Sequence, residues 1–172
     1  MPDDLIHDAV SFMKIASNAK LRIATAESCT GGLLASLLTD IEGASDAFDR
    51  GFVVYSEEAK CDLLGLDPSM IEIFGAVSEE VAHAMAAGAL RNSTAHLSVA
   101  ITGFAGPGGP RDEPGLVHFA CAVRDTETRH CVKRFGHIGR GATRVKSLRV
   151  ALEMAAAAME LIVERSRTPG AS

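Results

Sequence analysis

The sequence predicts a three-layer α/β/α domain, with helices on both faces of a mixed sheet that carries at least one antiparallel strand. Three observations lead there. Short apolar runs alternate with longer amphipathic ones, the rhythm of strand–helix–strand units. Two strand candidates late in the chain are separated only by Asp125-Thr-Glu-Thr128, a hairpin that must be antiparallel. No repeat or linker divides the 172 residues, a length that one core fills. The expected organisation is a single domain over residues 1–165, followed by a disordered tail over 166–172.

The elements follow in order. Asp3 or Asp4 can cap a first helix whose Leu5, Ala9, Met13 and Ala16 share a face. Leu21-Arg-Ile-Ala24 reads as a short strand, and Leu33 to about Asp40 as a helix. Asp49 to Tyr55 is rich in β-branched and aromatic residues and reads as a second strand. Glu57 to Leu64 is a short helix stopped by Gly65 and Pro68. Ser78 caps a helix through Arg91, with Glu79 and Glu80 in its first turn. Leu97 to Ile101 is a buried strand that runs into a glycine-rich loop, and Val117–Val123 and Arg129–Phe135 form the hairpin. Val145, Leu148, Leu152, Ala155, Met159 and Ile162 alternate spacings of three and four, marking a core or subunit-interface face on the last helix.

Composition narrows the function classes. Apolar residues make up 47% and charged residues 23%, the balance of an ordinary globular protein. The net charge of −5, with no Lys/Arg block, argues against nucleic acid or an anionic membrane as main partner. The start Met-Pro-Asp-Asp lacks signal-peptide character, and the four cysteines (Cys29, Cys61, Cys121, Cys131) show no C-x-x-C spacing. Reduced thiols in a cytoplasmic protein are expected. The six histidines show no H-x-x-x-H or H-E-x-x-H spacing, so no metal site and no cofactor are expected.

The segment Thr25-Ala-Glu-Ser-Cys-Thr-Gly-Gly32 carries most of the chemistry. It places Ser28 where a strand ends and a helix begins, a position exposed at a sheet rim. Gly31 and Gly32 allow close backbone approach, and the helix N-terminus offers N–H groups to a developing oxyanion. The arrangement is like a hydrolase nucleophile turn, although Gly-x-Ser-x-Gly is absent; a plain strand–turn–helix link is the alternative. Tyr55-Ser-Glu-Glu-Ala-Lys60 closes the second strand. If the two strands are neighbours, Ser28, Tyr55 and Lys60 converge at one edge. A Ser–Lys pair performs acyl transfer without histidine once the lysine is neutral, which requires a pKa well below the ~10.4 of free lysine. Burial favours that state; Glu57 and Glu58 oppose it and should point away. A solvated Lys60 and a Tyr55 that merely packs at the rim form the competing reading.

Thr102-Gly-Phe-Ala-Gly-Pro-Gly-Gly-Pro110 lies where open α/β sheets bind ligands, with Thr102, Gly103, Gly106 and Gly108 as candidate contacts, but it is neither a Walker loop nor a dinucleotide fingerprint. Arg140 and Arg144 share one face near the start of the last helix and suit an anion, or are simply solvated. Cys29 is a rival nucleophile with no histidine paired to it.

Four segments in register, Ala-Glu-Ser-Cys-Thr-Gly-Gly (26–32), Tyr-Ser-x-Glu-Ala-Lys (55–60), Gly-Ala-Val-Ser-Glu-Glu (75–80) and Thr-Gly-x-Ala-Gly-Pro-Gly-Gly (102–109), resemble the C-terminal domain of competence/damage-inducible CinA proteins, the nicotinamide-nucleotide amidase family. The resemblance runs from about Thr25 to Met159. It implies a five-stranded, mostly parallel mixed sheet and deamidation of nicotinamide mononucleotide to nicotinate mononucleotide and ammonia, in pyridine-nucleotide salvage. It further implies Ser28 as nucleophile, Lys60 as base, Tyr55 as proton-relay or orienting group, and a nucleotide pocket bordered by Thr102, the following glycines and Arg140. The expected oxyanion donors are N–H groups near Gly31 and Gly32, with Thr30 steadying that turn and contributing to the site. The sequence departs from the family pattern after Gly109: Pro110-Arg-Asp-Glu-Pro-Gly115 is short and lacks a lysine, whose charge Arg111 could replace. A small-molecule nucleotide is the expected partner and a homo-oligomer the expected assembly. The competing functions are a non-catalytic pyridine-nucleotide-binding module and a Ser–Lys amidase for another small amide.

Overall fold

Five strands assemble in the order β2-β1-β3-β4-β5, as β1 (Ile23–Glu27), β2 (Phe48–Val53), β3 (Leu97–Gly103), β4 (Leu116–Val123) and β5 (Arg129–Arg134). The computed structural model describes residues 1–109 and 112–167. β1 pairs parallel with β2 and β3, while β4 pairs antiparallel with β3 and β5, so β4 alone runs against the rest. Six α-helices complete the fold among the described residues: α1 (Asp3–Asn18), α2 (Leu33–Thr39), α3 (Glu57–Leu64), α4 (Pro68–Phe74), α5 (Glu79–Arg91) and α6 (Arg140–Arg167).

The two faces of the sheet are built from different residue sizes, because alternate strand positions point to opposite sides. Ile23, Leu97, Val99, Ile101, Val117 and Phe119 face one way and pack with Leu5, Phe12 and Met13 of α1, Leu34 and Leu38 of α2, and Leu148, Leu152 and Met159 of α6. The intervening Ala24, Ala26, Ala100, Ala120 and Ala122 face the other way, against Leu64, Ile71, Val81 and Met85 of α3–α5. That small-residue face lets the second layer sit close. At Gly88 of α5 a Cβ would lie 2.3 Å from the Leu64 carbonyl oxygen, so only glycine lets α5 pass the end of α3. The apolar stripe of the last helix is core: Leu148, Leu152, Ala155 and Met159 are buried.

Several boundaries differ from the sequence reading. Pro2, not Asp3 or Asp4, occupies the N-cap of α1, and both aspartates fall in its first turn. β1 extends through Thr25, Ala26 and Glu27, all fully buried, where the sequence suggested a turn. β2 ends at Val53, leaving Tyr55 beyond the strand. Pro68 does not only stop α3; it opens α4, with Asp67 as N-cap accepting 2.9 Å from the Ser69 N–H. α6 begins at Arg140 and reaches Arg167. Residues 168–172, like Arg111, lie outside the described residues.

Candidate active site

The chain leaves β1 for α2 on one face and reaches β3 through α5 on the other, so a crevice opens beyond the C-terminal ends of β1 and β3. Ser28 follows β1 directly and is 8% exposed, with its N–H held 2.9 Å from the Ile101 carbonyl oxygen of β3. Ser56 caps α3, its hydroxyl accepting 3.1 Å from the Ala59 N–H, and this entry turns Lys60 inward. Lys60 is 2% exposed, and its Nζ lies 3.2 Å from Ser28 Oγ, 3.1 Å from the Val54 carbonyl oxygen and 3.5 Å from that of Ser56.

This environment suits a neutral amine. An uncharged –NH₂ has two N–H donors and one lone pair; two carbonyl oxygens take the donors, and the lone pair faces the serine hydroxyl. Burial pushes the Lys60 pKa below that of a free lysine, while the Glu57 carboxylate holds part of that shift back. Glu57 therefore does not point away: it lines the same cleft. Glu58 does turn aside, onto Ser56. The solvated reading of Lys60 is excluded by its burial.

Cys29 lines the cleft too, but burial raises its thiol to about 12, which removes the thiolate needed for attack. Its backbone carbonyl instead accepts from Arg144 Nε at 2.8 Å. Arg144 thus clamps the turn after Ser28 and is not among the cleft residues, so the two arginines make different contacts. Arg140 does line the cleft, across Gly106, where a Cβ would come 2.8 Å from its guanidinium.

The turn after Ser28 differs from expectation. Glu27, fully buried, reaches past the turn and accepts from the N–H groups of Leu34 at 3.0 Å and Ala35 at 2.7 Å, capping α2. The helix N-terminus is therefore already occupied by a carboxylate. Gly31 and Gly32 have φ of 66° and 91°, which bends the chain back over Glu27, and the Gly31 N–H donates 3.0 Å to the Ser28 carbonyl. The N–H groups of Cys29, Thr30 and Gly32 donate to no backbone carbonyl among the described residues. Only Cys29 of those three borders the cleft. Thr30, Gly31 and Gly32 do not line it, and Gly32 rather than Thr30 holds the N-cap position of α2.

The opposite wall is formed by Thr102, Gly103, Gly106 and Gly108, together with Ala76 and Val77 from the loop before α5. Thr102 Oγ1 donates 2.7 Å to the Ala76 carbonyl, tying the two loops together. Gly103 is required because a Cβ there would meet the Leu116 carbonyl oxygen at 2.6 Å. Asp112 steadies the glycine loop by accepting from the Gly109 N–H at 2.6 Å. Tyr55 stands at the rim, 62% exposed, and no hydrogen bond joins it to Ser28 or Lys60 among the described residues. The cleft holds about 310 Å³, the lower end of the range for small-molecule sites.

Other clusters lie apart. A cavity of about 570 Å³ between the β4–β5 hairpin and the C-terminal half of α6 shares no residue with the cleft. His118 Nδ1 and His130 Nε2 are 3.0 Å apart, with Glu79 3.4 Å from His130 Nδ1, a cluster that sequence spacing did not reveal. Among the described residues no group of three His, Cys, Asp or Glu side chains is set to hold a metal, and no helix is long and apolar enough to cross a membrane.

Comparison with known proteins gives a consistent result. Residues 7–159 match the model of the CinA C-terminal domain. A CinA-like protein of Mycobacterium avium is 60% identical over 104 residues, covering 59% of this chain and 24% of that protein. The chain thus spans about a quarter of the length of the curated relatives it matches. Among solved structures, a competence/damage inducible protein from Agrobacterium tumefaciens superposes with a TM-score of 0.89 at 44% identity, covering 93% of this chain and 98% of the other. A CinA superfamily protein from Escherichia coli does so with a TM-score of 0.83 at 32% identity, covering 92% of each.

Proposed function

The chain belongs to the CinA C-terminal domain family, and from that premise we propose that it is an amidohydrolase converting nicotinamide mononucleotide to nicotinate mononucleotide and ammonia. The observation that carries this reading is the buried Lys60 amine 3.2 Å from Ser28 Oγ, with its two other neighbours placed to take its N–H groups.

Lys60 accepts the Ser28 proton as Oγ bonds to the carboxamide carbon, and the carbonyl π pair moves to oxygen. The Cys29 N–H, beside the nucleophile and bonded to no carbonyl among the described residues, is the donor for that oxyanion. Collapse breaks the C–N bond, and protonated Lys60 returns its proton to the nitrogen, which leaves as ammonia. Water then attacks the acyl-serine ester with Lys60 again as base, releasing the carboxylate and restoring Ser28. Arg140 and the loop carrying Gly106 and Gly108 take the phosphate, and this remote contact orients the amide over Ser28. Tyr55 serves as an orienting wall for the ring.

Ammonia release from nicotinamide mononucleotide, nicotinamide riboside and free nicotinamide, measured in parallel, tests the reading. Release dominated by the mononucleotide, and abolished in Ser28→Ala, is the expected result. Binding without release would indicate a nucleotide-binding module. Release from free nicotinamide as fast as from the mononucleotide would assign the cleft to another amide.

A further inference from the structure

We infer that Glu57 is a specificity-determining residue, whose carboxylate pairs with a cationic substrate ring while Ser28 engages the carboxamide on that ring. The inference rests on the amidase reading above and specifies which charge the cleft selects.

The placement comes first. Glu57 is the first residue of α3 and precedes Lys60 by three positions, so both side chains stand on one side of the helix. Both line the cleft with Ser28 and Tyr55. An aromatic ring that presents its amide to Ser28 Oγ lies along this wall. In a nicotinamide nucleotide the quaternary nitrogen is only one ring carbon away from the carbon bearing the amide. The positive charge thus falls in the part of the cleft that Glu57 borders.

The chemistry of the wall agrees. Glu57 is exposed to the cleft and makes no hydrogen bond or ion pair among the described residues, whereas its neighbour Glu58 is engaged by Ser56. Tyr55 adds an aromatic face suited to a cation. Arg140, on the same cleft, supplies the opposite charge. A cleft lined by a free carboxylate at the start of α3 and by a guanidinium at the start of α6, packed across Gly106, matches a zwitterion, a cationic ring joined to an anionic phosphate.

Without such a ligand, Glu57 is misplaced. It favours the charged form of Lys60 and so works against the base. The other ionisable neighbours of Lys60 do not share that effect equally. Cys29 stays a thiol, and the Cys61 thiol is likewise raised. Glu57 is the anion that matters. A bound cationic ring neutralises it and adds a positive charge beside Lys60, so the substrate itself helps to discharge the base. The acid limb of kcat, which reports the complex, must then lie at lower pH than the acid limb of kcat/KM, which reports the free enzyme.

The test compares nicotinamide mononucleotide with its neutral-ring isostere, the 3-carbamoylphenyl riboside monophosphate, using the parent protein and Glu57→Gln. Both ligands carry the same amide and phosphate, so phosphate ionisation affects them alike. Glu57→Gln is expected to raise KM for the cationic ring about fivefold, the scale of a partly exposed ion pair, and to raise it less for the neutral ring. It should also move the acid limb of kcat/KM toward that of kcat, and the neutral ring should show the smaller gap between limbs in the parent. Equal KM changes for both ligands, or limbs that coincide in the parent with the cationic substrate, would overturn the assignment. If neither ligand releases ammonia, the amidase reading fails by itself. Calorimetric Kd values for both ligands on both proteins then decide Glu57, and an equal loss of affinity rejects it.

Discussion

Replacing Glu27 by glutamine isolates the cap beneath the nucleophile turn. The carboxylate is fully buried and takes two N–H groups, at 3.0 and 2.7 Å. Glutamine keeps one acceptor oxygen and turns an NH₂ toward the other N–H. The loss comprises a charge-assisted bond, about 1.5–3 kcal/mol, and an N–H left facing a donor, about 1–3 kcal/mol. A destabilisation of about 3–5 kcal/mol follows, or roughly 6–20 °C in Tm at 2–4 °C per kcal/mol. The damage should not stop at stability, because Ser28 is the next residue and its Oγ must stay aligned with Lys60. A misplacement of about 1 Å can cost on the order of a hundredfold, so kcat should fall about ten- to a hundredfold with KM near the parent value, since Glu27 does not line the cleft. Urea melts and steady-state ammonia release on the same preparations provide both readouts. A Glu27→Gln protein within about 0.5 kcal/mol of the parent, the ordinary scatter of surface substitutions, would refute the reasoning.

Four further expectations follow from the structure. Lys60→Met should abolish turnover without multiplying the loss from Ser28→Ala, because nucleophile and base act as one unit; a double variant far below either single one would contradict this. Burial lowers the Lys60 pKa in the folded state, so the native protein releases that proton before the unfolded chain does, and stability rises with pH between the lowered value and the ~10.4 of free lysine. Urea midpoints of the parent should show that rise relative to Lys60→Met, and parallel profiles would argue against it. Arg140→Ala should cost about ten- to a hundredfold in kcat/KM on the mononucleotide, for a lost charge-assisted contact of about 1.5–3 kcal/mol, and far less on nicotinamide riboside; equal losses would make Arg140 structural. His118 and His130 are held below the usual histidine range, chiefly by burial and, for His118, next by its neighbour His130. The unfolded chain therefore protonates first, so stability present above about pH 6.5 should decline as the medium is acidified; His130→Asn should flatten the decline between pH 7.5 and 5.5, and an unchanged slope would remove the cluster from the account.

The central pairing was legible because it depends on local grammar. A serine at a strand end, a capped helix with a lysine in its first turns and two neighbouring strands suffice to bring Ser28 and Lys60 together. The layered fold followed from the same periodicities. What escaped was polar structure whose meaning depends on distant or unexpected partners. Glu27 looked like part of a turn; as the buried end of β1 it serves as a cap for a helix that starts six residues later, after Gly31 and Gly32 bend the chain. Arg144 looked like a second anion ligand, yet its partner is a backbone carbonyl 115 residues away. The Asp-Pro-Ser signal for α4 was present, with Asp67 as cap and Pro68 at the first helical position, but it was masked by reading the proline only as a stop. Glu57 was recognised as adverse to the base and given no cause to remain in the cleft.

The contact from Arg144 to the Cys29 carbonyl also has a meaning in time. During synthesis the nucleophile, its base and the glycine loop emerge before the helix that clamps the turn. A nascent chain stalled before α6 would carry Ser28 and Lys60 yet lack the Arg144 guanidinium that fixes the turn after Ser28, as well as Arg140 of the cleft wall. The Ser28–Lys60 geometry is thus completed only when α6 docks and Arg144 reaches the Cys29 carbonyl.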